Sequence, residues 1–437
     1  MTRKSLSRAR RTGVRHRPAR DASQEHAPEI WQIEKLIPGG DGMARPDQGR
    51  IGFAPSVIPG ERLRVLASAK KKGFTRATRF ELIECSPERV EPPCRYAGRC
   101  GGCDWLHIEY SAQLRHKLEL LQDALSRVGK IEPLPELSIE PSPHPLRYRN
   151  RIRVHVEQGK VGFRGVGSHD VVDVVSCAVA APELDRALSL FRSVLAAQQS
   201  LPPSFEAELR VAPSDDRALV RMSIEPGAKL LAALQNEFVV AFPNVPAPSV
   251  QRFPFASGSW LTVPADAFVQ VNWELNRVLV EALVQGARAR GAARFLDLYA
   301  GAGNFSLPLL ESGLSGVAVE GVGSAVRAAG RRIAELGLRG EVLAGEVGAT
   351  VERLIEQRQT FDLVVLDPPR AGAPEVTGKL RRLEPRHVAY CSCDPVTLAR
   401  DLRELRTQGF SIEQIRAFDL FPGTHHFETL VWLGAAR

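Results

Sequence analysis

Two short segments near the C-terminus carry side chains that could form a covalent bond and move a proton. An apolar stretch, residues 387–390, leads into Cys391-Ser392-Cys393, and the segment 421–428 ends in Glu428 directly before the last apolar stretch. A cysteine thiolate is a strong nucleophile, and a carboxylate is a common general base. A strand that ends in a thiol and a strand that begins with a carboxylate could together support covalent catalysis.

A turn with two glycines predicts a nucleotide-like ligand. The apolar stretch 293–299 runs into Gly301-Ala302-Gly303-Asn304, and the next apolar stretch ends in Glu320, 19 residues after Gly301. Glycine lets the backbone approach a ligand closely, and a carboxylate at this spacing can accept from both ribose hydroxyls. The turn lacks the third glycine of a pyrophosphate-binding motif, so a nucleoside without phosphates fits better. The alternative is a structural turn capped by Asp297, with Glu320 on the surface.

A third motif, Asp367-Pro368-Pro369-Arg370, follows the apolar stretch 361–366. The two prolines restrict the backbone and fix the carboxylate at the carboxyl end of a strand, where open α/β sheets bind ligands. Asp-Pro-Pro resembles the motif of amino-group methyltransferases, which usually continue with an aromatic residue. Arg370 at that position argues against an amine as the methyl acceptor.

Four further cysteines are grouped like the ligands of a metal site. Cys94, Cys100 and Cys103 lie close together in sequence, and Cys177 follows 74 residues after Cys103. Four thiolates can hold either a zinc ion or an iron–sulfur cluster, and the spacing alone leaves both open. The remote position of Cys177 predicts a cross-link within one domain.

The order of the C-terminal motifs resembles a known enzyme family. From about residue 290 onward, the segments 367–372, 392–395 and 421–428 look like the RNA (uracil-5-)-methyltransferase family, which acts on tRNA and 23S rRNA. The glycine turn with Glu320 resembles the class I methyltransferase fold. The C-x5-C-G-G-C run with a distant fourth cysteine resembles the [4Fe–4S] site of the same family, and residues 27–87 resemble a TRAM domain, an OB-like RNA-binding barrel.

This resemblance implies a set of roles. Cys393 would be the nucleophile, Glu428 the base, and S-adenosylmethionine the methyl donor. The residues expected around the cofactor and the uracil are Gln270, Tyr299, Gly301, Gly303, Asn304, Glu320 and Asp367. The residues expected to hold the cluster are Cys94, Cys100, Cys103 and Cys177. A structural cluster is favoured over a redox one because methyl transfer needs no electron, and a regulatory role stays open.

The implied chemistry explains why a thiol and a carboxylate are both needed. Carbon C5 of uracil is a poor nucleophile, but attack of a thiolate on C6 creates an enolate whose charge reaches C5, which can then take a methyl group. A carboxylate must afterwards remove the C5 proton. An ordinary thiol has a pKa of about 8.5, so the site must favour the anion or move its proton. The positive sulfonium charge of the methyl donor is one candidate for the group that stabilises the thiolate.

Some positions depart from the family pattern. Asp394 stands where asparagine is usual and, if unpaired, should raise the pKa of Cys393. Gly423 replaces a larger residue. Cys391 and Cys85 are predicted to serve packing. His425 and His426 are predicted to pack the loop or contact phosphate, with a catalytic role as the alternative.

The pattern of short runs divides the chain into four parts and predicts an α/β fold. These are a basic arm (1–26), a small antiparallel barrel (27–87), an α+β central domain with the cysteines (88–265) and a Rossmann-like methyltransferase sheet (266–437). The barrel would place Lys70-Lys71-Lys72 in a loop near phosphates. A helix is predicted over 109–130, with Leu114, Leu118, Leu121, Leu125 and Val128 on one face, and it could pack on the methyltransferase domain.

Charge and composition narrow the partners. Residues 1–20 hold eight basic side chains and no acidic one, which equals the chain's net charge of +8. Such an arm suits a polyanion, and alone it does not separate RNA, DNA and a membrane surface. No run of about 18 apolar residues occurs, which predicts no membrane span. We therefore expect a cytoplasmic monomer whose partner is RNA, most simply rRNA.

Three alternatives remain at this point. The first is a tRNA uracil-5-methyltransferase, although a barrel with a cluster resembles the rRNA-modifying members more. The second is an amino-methyltransferase of adenine or guanine, which has no use for Cys393. The third is an iron–sulfur RNA-binding protein with a vestigial methyltransferase domain.

Overall fold

A computed structural model describes residues 24–46, 50–243 and 250–435 of the 437-residue chain. The predicted basic arm lies outside the described residues, apart from its last three, which begin the first strand. No helix in the described ranges is both long and apolar enough to span a membrane.

The N-terminal part is a closed five-stranded barrel in the order β1-β2-β3-β5-β4. Its strands are β1 (Gln24–Leu36), β2 (Gly42–Ala44), β3 (Ile51–Ala54), β4 (Arg62–Lys71) and β5 (Phe74–Glu84). The pairs are antiparallel except β3 with β5, which run parallel and close the barrel. Lys70, Lys71 and Lys72 are exposed where β4 turns into β5.

The segment after the cysteine-rich loop belongs to the C-terminal sheet rather than to the central domain. It consists of α1 (Tyr110–Arg127) and β6 (Leu137–Glu140). The sequence analysis placed both in the range 88–265, but β6 hydrogen-bonds to a strand near residue 415 and α1 packs its leucines into the core of the large sheet. The predicted helix is present, and the sequence had no signal for the strand pairing because the two strands are far apart in the chain.

The central domain is a six-stranded sheet with two helices, in the order β12-β11-β10-β7-β8-β9. Its strands are β7 (Arg151–Glu157), β8 (Lys160–Arg164), β9 (Val171–Asp173), β10 (Ser204–Arg210), β11 (Leu219–Met222) and β12 (Val239–Ala241). Its helices are α2 (Pro182–Ala196) and α3 (Ala228–Glu237). Apolar residues of α2 and α3 pack with those of the strands in one core, against which Cys94, Cys100 and Cys177 lie. A hairpin of β13 (Val250–Pro254) and β14 (Trp260–Pro264) follows.

The C-terminal part alternates helix and strand. Its helices are α4 (Trp273–Ala289), α5 (Ser306–Glu311), α6 (Gly323–Glu335), α7 (Val347–Glu356), α8 (Pro374–Thr377) and α9 (Pro395–Thr407), with a 3-10 turn at Leu380–Leu383. Its strands are β15 (Arg294–Leu298), β16 (Ser315–Glu320), β17 (Gly340–Ala344), β18 (Leu363–Leu366), β19 (His387–Ser392), β20 (Phe410–Phe418) and β21 (Glu428–Ala435).

These strands and β6 form an eight-stranded sheet in the order β17-β16-β15-β18-β19-β21-β20-β6. All neighbours are parallel except β21, which runs antiparallel to both β19 and β20. The strand order reverses between β15 and β18, and ligands bind at such a switch point in open α/β sheets. The Rossmann-like sheet and the N-terminal barrel confirm the predicted fold class.

One fully buried ion pair joins α1 to the end of β20. Lys117 and Asp419 are both 0% exposed, and the ammonium of Lys117 donates to the Asp419 carboxylate and to the carbonyl oxygen of Phe421 at 3.2 Å. A buried charge that loses its partner is strongly destabilising. The pair therefore fixes α1 against the chain that leads into β21.

We expect Lys117→Met to lower the free energy of unfolding by roughly 3–5 kcal/mol, because Asp419 would remain buried without its counter-ion. The control is Lys35→Met, which removes an ion pair to Asp123 on the same helix, where the two side chains are 28% and 41% exposed. That loss should be about 0–1 kcal/mol. Urea titration of both variants is the measurement, and equal small losses would contradict a structural role for the buried pair.

Candidate active site

The carboxyl edge of the large sheet collects the predicted site residues. Tyr299, Asp367 and Cys393 each follow directly after a strand, and Glu320 is the last residue of β16. Because β21 runs in the opposite direction, its first residue, Glu428, lies at the same edge. The fold thus brings together five residues that are up to 129 positions apart in the sequence.

The register between β19 and β21 brings Cys391 to the same face as Glu428. Cys391 pairs with Leu430, and Ser392 with Thr429 is the last pair of the ladder. Opposed residues of an antiparallel pair project from the same face, as do residues two positions apart on one strand. Cys391, Leu430 and Glu428 therefore share one face, and Cys393 lies directly beyond the last pair, where the Glu428 charge acts on it.

The site is rich in acidic groups and largely buried. Ligand atoms of Asp367, Cys391 and Glu428 all lie within 4.8 Å of one another. Burial raises the pKa of Asp367 to about 7, and burial with the charge of Asp367 raises the pKa of Glu428 well above its usual range. Burial, then Glu428 and Asp367, raise the pKa of Cys393 to about 12, against a smaller opposing effect of Arg370. Without ligands, the nucleophile candidate is a neutral thiol at physiological pH.

Two departures from the family pattern have structural explanations. The Asp394 carboxylate caps α9, accepting from the backbone N–H groups of Val396 and Thr397 at 2.9 Å each, so its charge is paired rather than free. The Asp394 charge raises the pKa of Cys393 less than Glu428 and Asp367 do. Gly423 has φ +75°, and a Cβ there would lie 2.6 Å from Leu106, so the turn excludes a larger side chain.

The glycine turn is built around Glu320. One carboxylate oxygen accepts from Gly301 N at 2.8 Å and the other from Val322 N at 2.7 Å, which holds the turn against the end of β16. Gly303 has φ +101°, and a Cβ there would lie 2.9 Å from Leu307. The side-chain amide of Asn304 pairs reciprocally with Asn276 at 2.9 and 3.1 Å. Glu320 and Asn304 thus shape the turn.

Asp297, considered as a cap in the structural alternative, is fully buried behind this turn. Its carboxylate accepts from the Ser306 hydroxyl at the start of α5, and burial raises its pKa to about 7. Asp297 supports the turn from the buried side, whereas Glu320 lies at the partly exposed edge of the sheet, where a ligand can reach it.

Tyr299 and Gln270 lie on different elements. Tyr299 has φ +64°, a strained value for a non-glycine residue, and its hydroxyl donates to Glu375. Gln270 is buried in the segment before α4, where its carbonyl oxygen accepts from the Asn150 amide at 2.8 Å. This contact ties the segment before α4 to the residue that precedes β7 in the central domain.

The segment 421–428 is held by residues that sequence reasoning missed. These are Asp104, Trp105, Gln113, Lys117 and Tyr148. The N–H of Gly423 donates to Gln113 at 2.8 Å and its carbonyl accepts from the N–H of Trp105 at 2.9 Å. For Asp104 and Trp105, the one sequence signal of a role near the site was that they directly follow Cys103. For Gln113 and Lys117 there was no signal, because nothing in the local sequence marks these polar residues of α1 as buried.

A side-chain network extends from the cysteine loop to the Asp-Pro-Pro-Arg motif. Asp104 pairs with the ring of His425, whose ring centroid lies 3.8 Å from that of His426. Arg370 Nη2 donates to His426 Nε2 at 3.1 Å. Burial and the neighbouring His425 lower the pKa of His426 to about 3, so this ring is neutral and can accept. The two histidine rings pack against each other, and His426 accepts from Arg370.

The four grouped cysteines line a cavity of about 230 Å³. Tyr96 and Arg149 contribute to the same wall. Burial raises the pKa of Cys100 to about 11 and that of Cys103 to about 12, and neighbouring cysteines raise both further. The fold has therefore brought Cys177 to the other three cysteines, and binding of a metal centre would release protons.

Comparison with known proteins agrees with this geometry. Residues 350–436 match the family model described as tRNA (Uracil-5-)-methyltransferase. The chain is 33% identical to the 23S rRNA (uracil(1939)-C(5))-methyltransferase RlmD of Shewanella amazonensis, over 94% of this chain and 96% of the relative. It is 31% identical to an uncharacterized RNA methyltransferase of Thermotoga maritima, over 93% and 98% of the two chains.

A solved structure has the same fold. The tRNA (uracil-54, C5)-methyltransferase of Pyrococcus abyssi, in complex with S-adenosyl-L-homocysteine, superposes with a TM-score of 0.74. The match covers 93% of this chain and all of that chain at 23% sequence identity. Together with the extended sequence similarity, the carboxyl-edge site places the chain in the RNA (uracil-5-)-methyltransferase family, whose members use S-adenosylmethionine to methylate C5 of uracil in RNA.

Proposed function

We propose that this enzyme methylates a uridine of 23S rRNA through a covalent adduct, with Cys393 as the nucleophile and Glu428 as the base. The observation that carries the proposal is the β19–β21 register: its last pair is Ser392 with Thr429, and Cys393 and Glu428 flank that pair at the edge of the sheet, where the Glu428 charge acts on the thiol. A packing role for Cys393 would not require a buried carboxylate on the facing strand.

The glycine turn and its neighbours suit the methyl donor. We assign Gln270, Tyr299, Gly301, Gly303, Asn304, Glu320 and Asp367 to the region that holds the cofactor and the uracil. S-adenosylmethionine, when bound, supplies the methyl group and a positive sulfonium charge. Glu320 keeps a free lone pair on each oxygen, so it can accept from ribose hydroxyls while still holding the turn.

The proposed sequence of bonds begins at the thiol. Cys393 Sγ bonds to C6 of the uracil, and the electron pair of the C5–C6 double bond moves to form an enolate. Carbon C5 then takes the methyl group as the sulfonium–carbon bond breaks. Glu428 removes the proton from C5, the C5–C6 double bond re-forms, and the Cys393 thiolate leaves.

Electrostatics explain why the thiol reacts only in the assembled complex. Burial, followed by Glu428 and Asp367, raises the pKa of Cys393 and keeps it protonated in the free enzyme. A sulfonium charge in the site acts in the opposite direction and favours the thiolate. The attacking species thus forms where the methyl donor is already present.

Two substitutions separate the nucleophile from the base. Cys393→Ala has no sulfur to attack C6, so we expect neither 5-methyluridine nor an RNA–protein adduct. Glu428→Gln keeps the thiol but loses the base, so attack and methyl transfer proceed while removal of the C5 proton stalls. The expected result is a methylated RNA–protein adduct that survives denaturing electrophoresis.

The control is cofactor affinity, which should stay unchanged in both variants and would fall if the site were generally disturbed. An amino-methyltransferase would form no adduct in either variant. Formation of 5-methyluridine by Cys393→Ala would refute the covalent scheme.

We further propose that Cys94, Cys100, Cys103 and Cys177 hold a [4Fe–4S] cluster. Four sulfurs around one zinc ion would lie about 3.8 Å apart, given a Zn–S bond of about 2.3 Å. In the described part of the chain, the sulfur atoms of these four cysteines do not all lie within 4.8 Å of one another. The cavity of about 230 Å³ between them suits a larger centre. Its location between the central domain and the cysteine loop supports a structural role.

Anaerobically purified protein should contain about four irons and an equal amount of inorganic sulfide per chain. Cys100→Ser should lower the iron content, thermal stability and RNA binding, since a ligand is lost. The control is Cys85→Ser, because Cys85 is exposed and lies outside the cavity. Stoichiometric zinc without sulfide would overturn the cluster assignment.

The choice of rRNA over tRNA rests on the relatives. The relatives that match over nearly the whole chain include 23S rRNA methyltransferases, whereas the structural match to a tRNA enzyme shows the fold alone. In cells lacking this protein, mass-spectrometric mapping of total RNA should show the loss of one 5-methyluridine from 23S rRNA. The 5-methyluridine of tRNA should be retained, and a loss confined to tRNA would favour the alternative target.

A further inference from the structure

A second thiol contacts the base directly. Cys391 Sγ lies 3.5 Å from Glu428 Oε1, and its side chain is 0% exposed, whereas Cys393 is half-buried. In the described ranges, no other side chain donates a hydrogen bond to the Glu428 carboxylate, and no cation pairs with it. Cys391 is two residues before Cys393, which directly follows β19, so a buried thiol and the candidate nucleophile both lie near the same carboxylate.

The surroundings of Glu428 oppose its ionisation. Asp367 faces it from the end of β18 and Cys391 from β19, while Cys393 lies nearby, directly after β19. The partner of Glu428 on β20 is the apolar Phe418. Burial and the charge of Asp367 raise the pKa of Glu428, and the hydrogen bond from Cys391 acts in the opposite direction. Glu428 must lose its own proton before it can accept one from C5. The hydrogen bond from Cys391 favours that ionised form.

The Cys391 thiol is suited to donate and unsuited to attack. Burial and the Glu428 charge raise its pKa well above the usual range, so it keeps its proton throughout the physiological range. Packing alone would not require a thiol, because Leu430 and Phe418 fill the same apolar layer. A valine would fill a similar volume without donating.

We propose that Cys391 is a positioning residue for the base: its thiol donates to Glu428 Oε1, fixes the orientation of the carboxylate and favours its ionised form for removal of the C5 proton. The inference rests on the proposed covalent mechanism and adds to it a residue that acts only after methyl transfer. The second oxygen of Glu428 is then free to face the substrate.

The test is single-turnover kinetics with RNA and S-adenosylmethionine, in which adduct formation and adduct resolution are measured separately across pH. Cys391→Val removes the donor. The thiol stabilises the ionised carboxylate, so its loss raises the pKa of the base and reduces the ionised fraction at a given pH. At pH values below the midpoint of the pH profile, adduct resolution should become about tenfold slower. The midpoint itself should move to higher pH by roughly one unit. Adduct formation and cofactor affinity should stay near wild type.

Two further variants separate donation from packing. Cys391→Ser retains a hydroxyl donor and should keep the wild-type pH profile, or move it to lower pH. Leu430→Val changes the facing residue in the same layer without touching the donor, and it should leave the profile in place. Equal shifts in Cys391→Val, Cys391→Ser and Leu430→Val would assign the effect to packing and overturn the proposal.

The outcomes distinguish this inference from the proposed function. If the wild-type enzyme and Glu428→Gln form no adduct at all, the covalent mechanism itself fails. If the wild type forms and resolves an adduct but Cys391→Val retains the same pH profile, the mechanism stands and the role of Cys391 is refuted.

Discussion

The position of Glu428 depends on hydrogen bonds that hold the loop before it, residues 421–425. The partners of these bonds lie 274 to 321 positions earlier in the chain than the loop residues that they contact. The backbone before β21 donates to and accepts from side chains and backbone of α1, the cysteine loop and Tyr148. Each unpaired backbone group would carry a desolvation penalty if this loop moved, so these contacts fix the loop in one conformation. The antiparallel direction of β21 then delivers the carboxylate to the edge of the sheet that the parallel strands also reach.

This arrangement makes the cysteine-rich loop part of the active site's support. Cys103 lines the cavity, while Asp104 and Trp105, its immediate neighbours, hold the segment that precedes Glu428. On the other side, Arg149 lines the cavity and Asn150 holds the Gln270 segment. A centre that fixes the cysteines would therefore stabilise both the base side and the cofactor side of the site without taking part in the chemistry.

The electrostatic design of the site follows from burying two carboxylates beside a thiol. Desolvation and mutual repulsion raise the pKa values of Cys393, Asp367 and Glu428 in the free enzyme. Reactivity then depends on charges brought by the substrates and on a few local donors. Asp394 adds little to this negative field because the N-terminus of α9 accommodates its charge.

The sequence by itself predicted the candidate site residues and the elements that carry them, because Glu320 ends an apolar strand and Asp367 and Cys393 directly follow apolar strands. The alternation of these strands with helices is a local pattern that predicts a parallel sheet. It also indicated the barrel and the helix near residue 110. Only the tertiary structure decided which helix face is buried: Gln113 and Lys117 are enclosed, while Leu114 and Leu118 are only half-buried. Their partners lie about 300 residues away, and a hydrogen bond between such distant residues leaves no periodic signal. The pairing of β6 with β20 and the contact between Cys391 and Glu428 were decided in the same way, by strand register across the folded sheet.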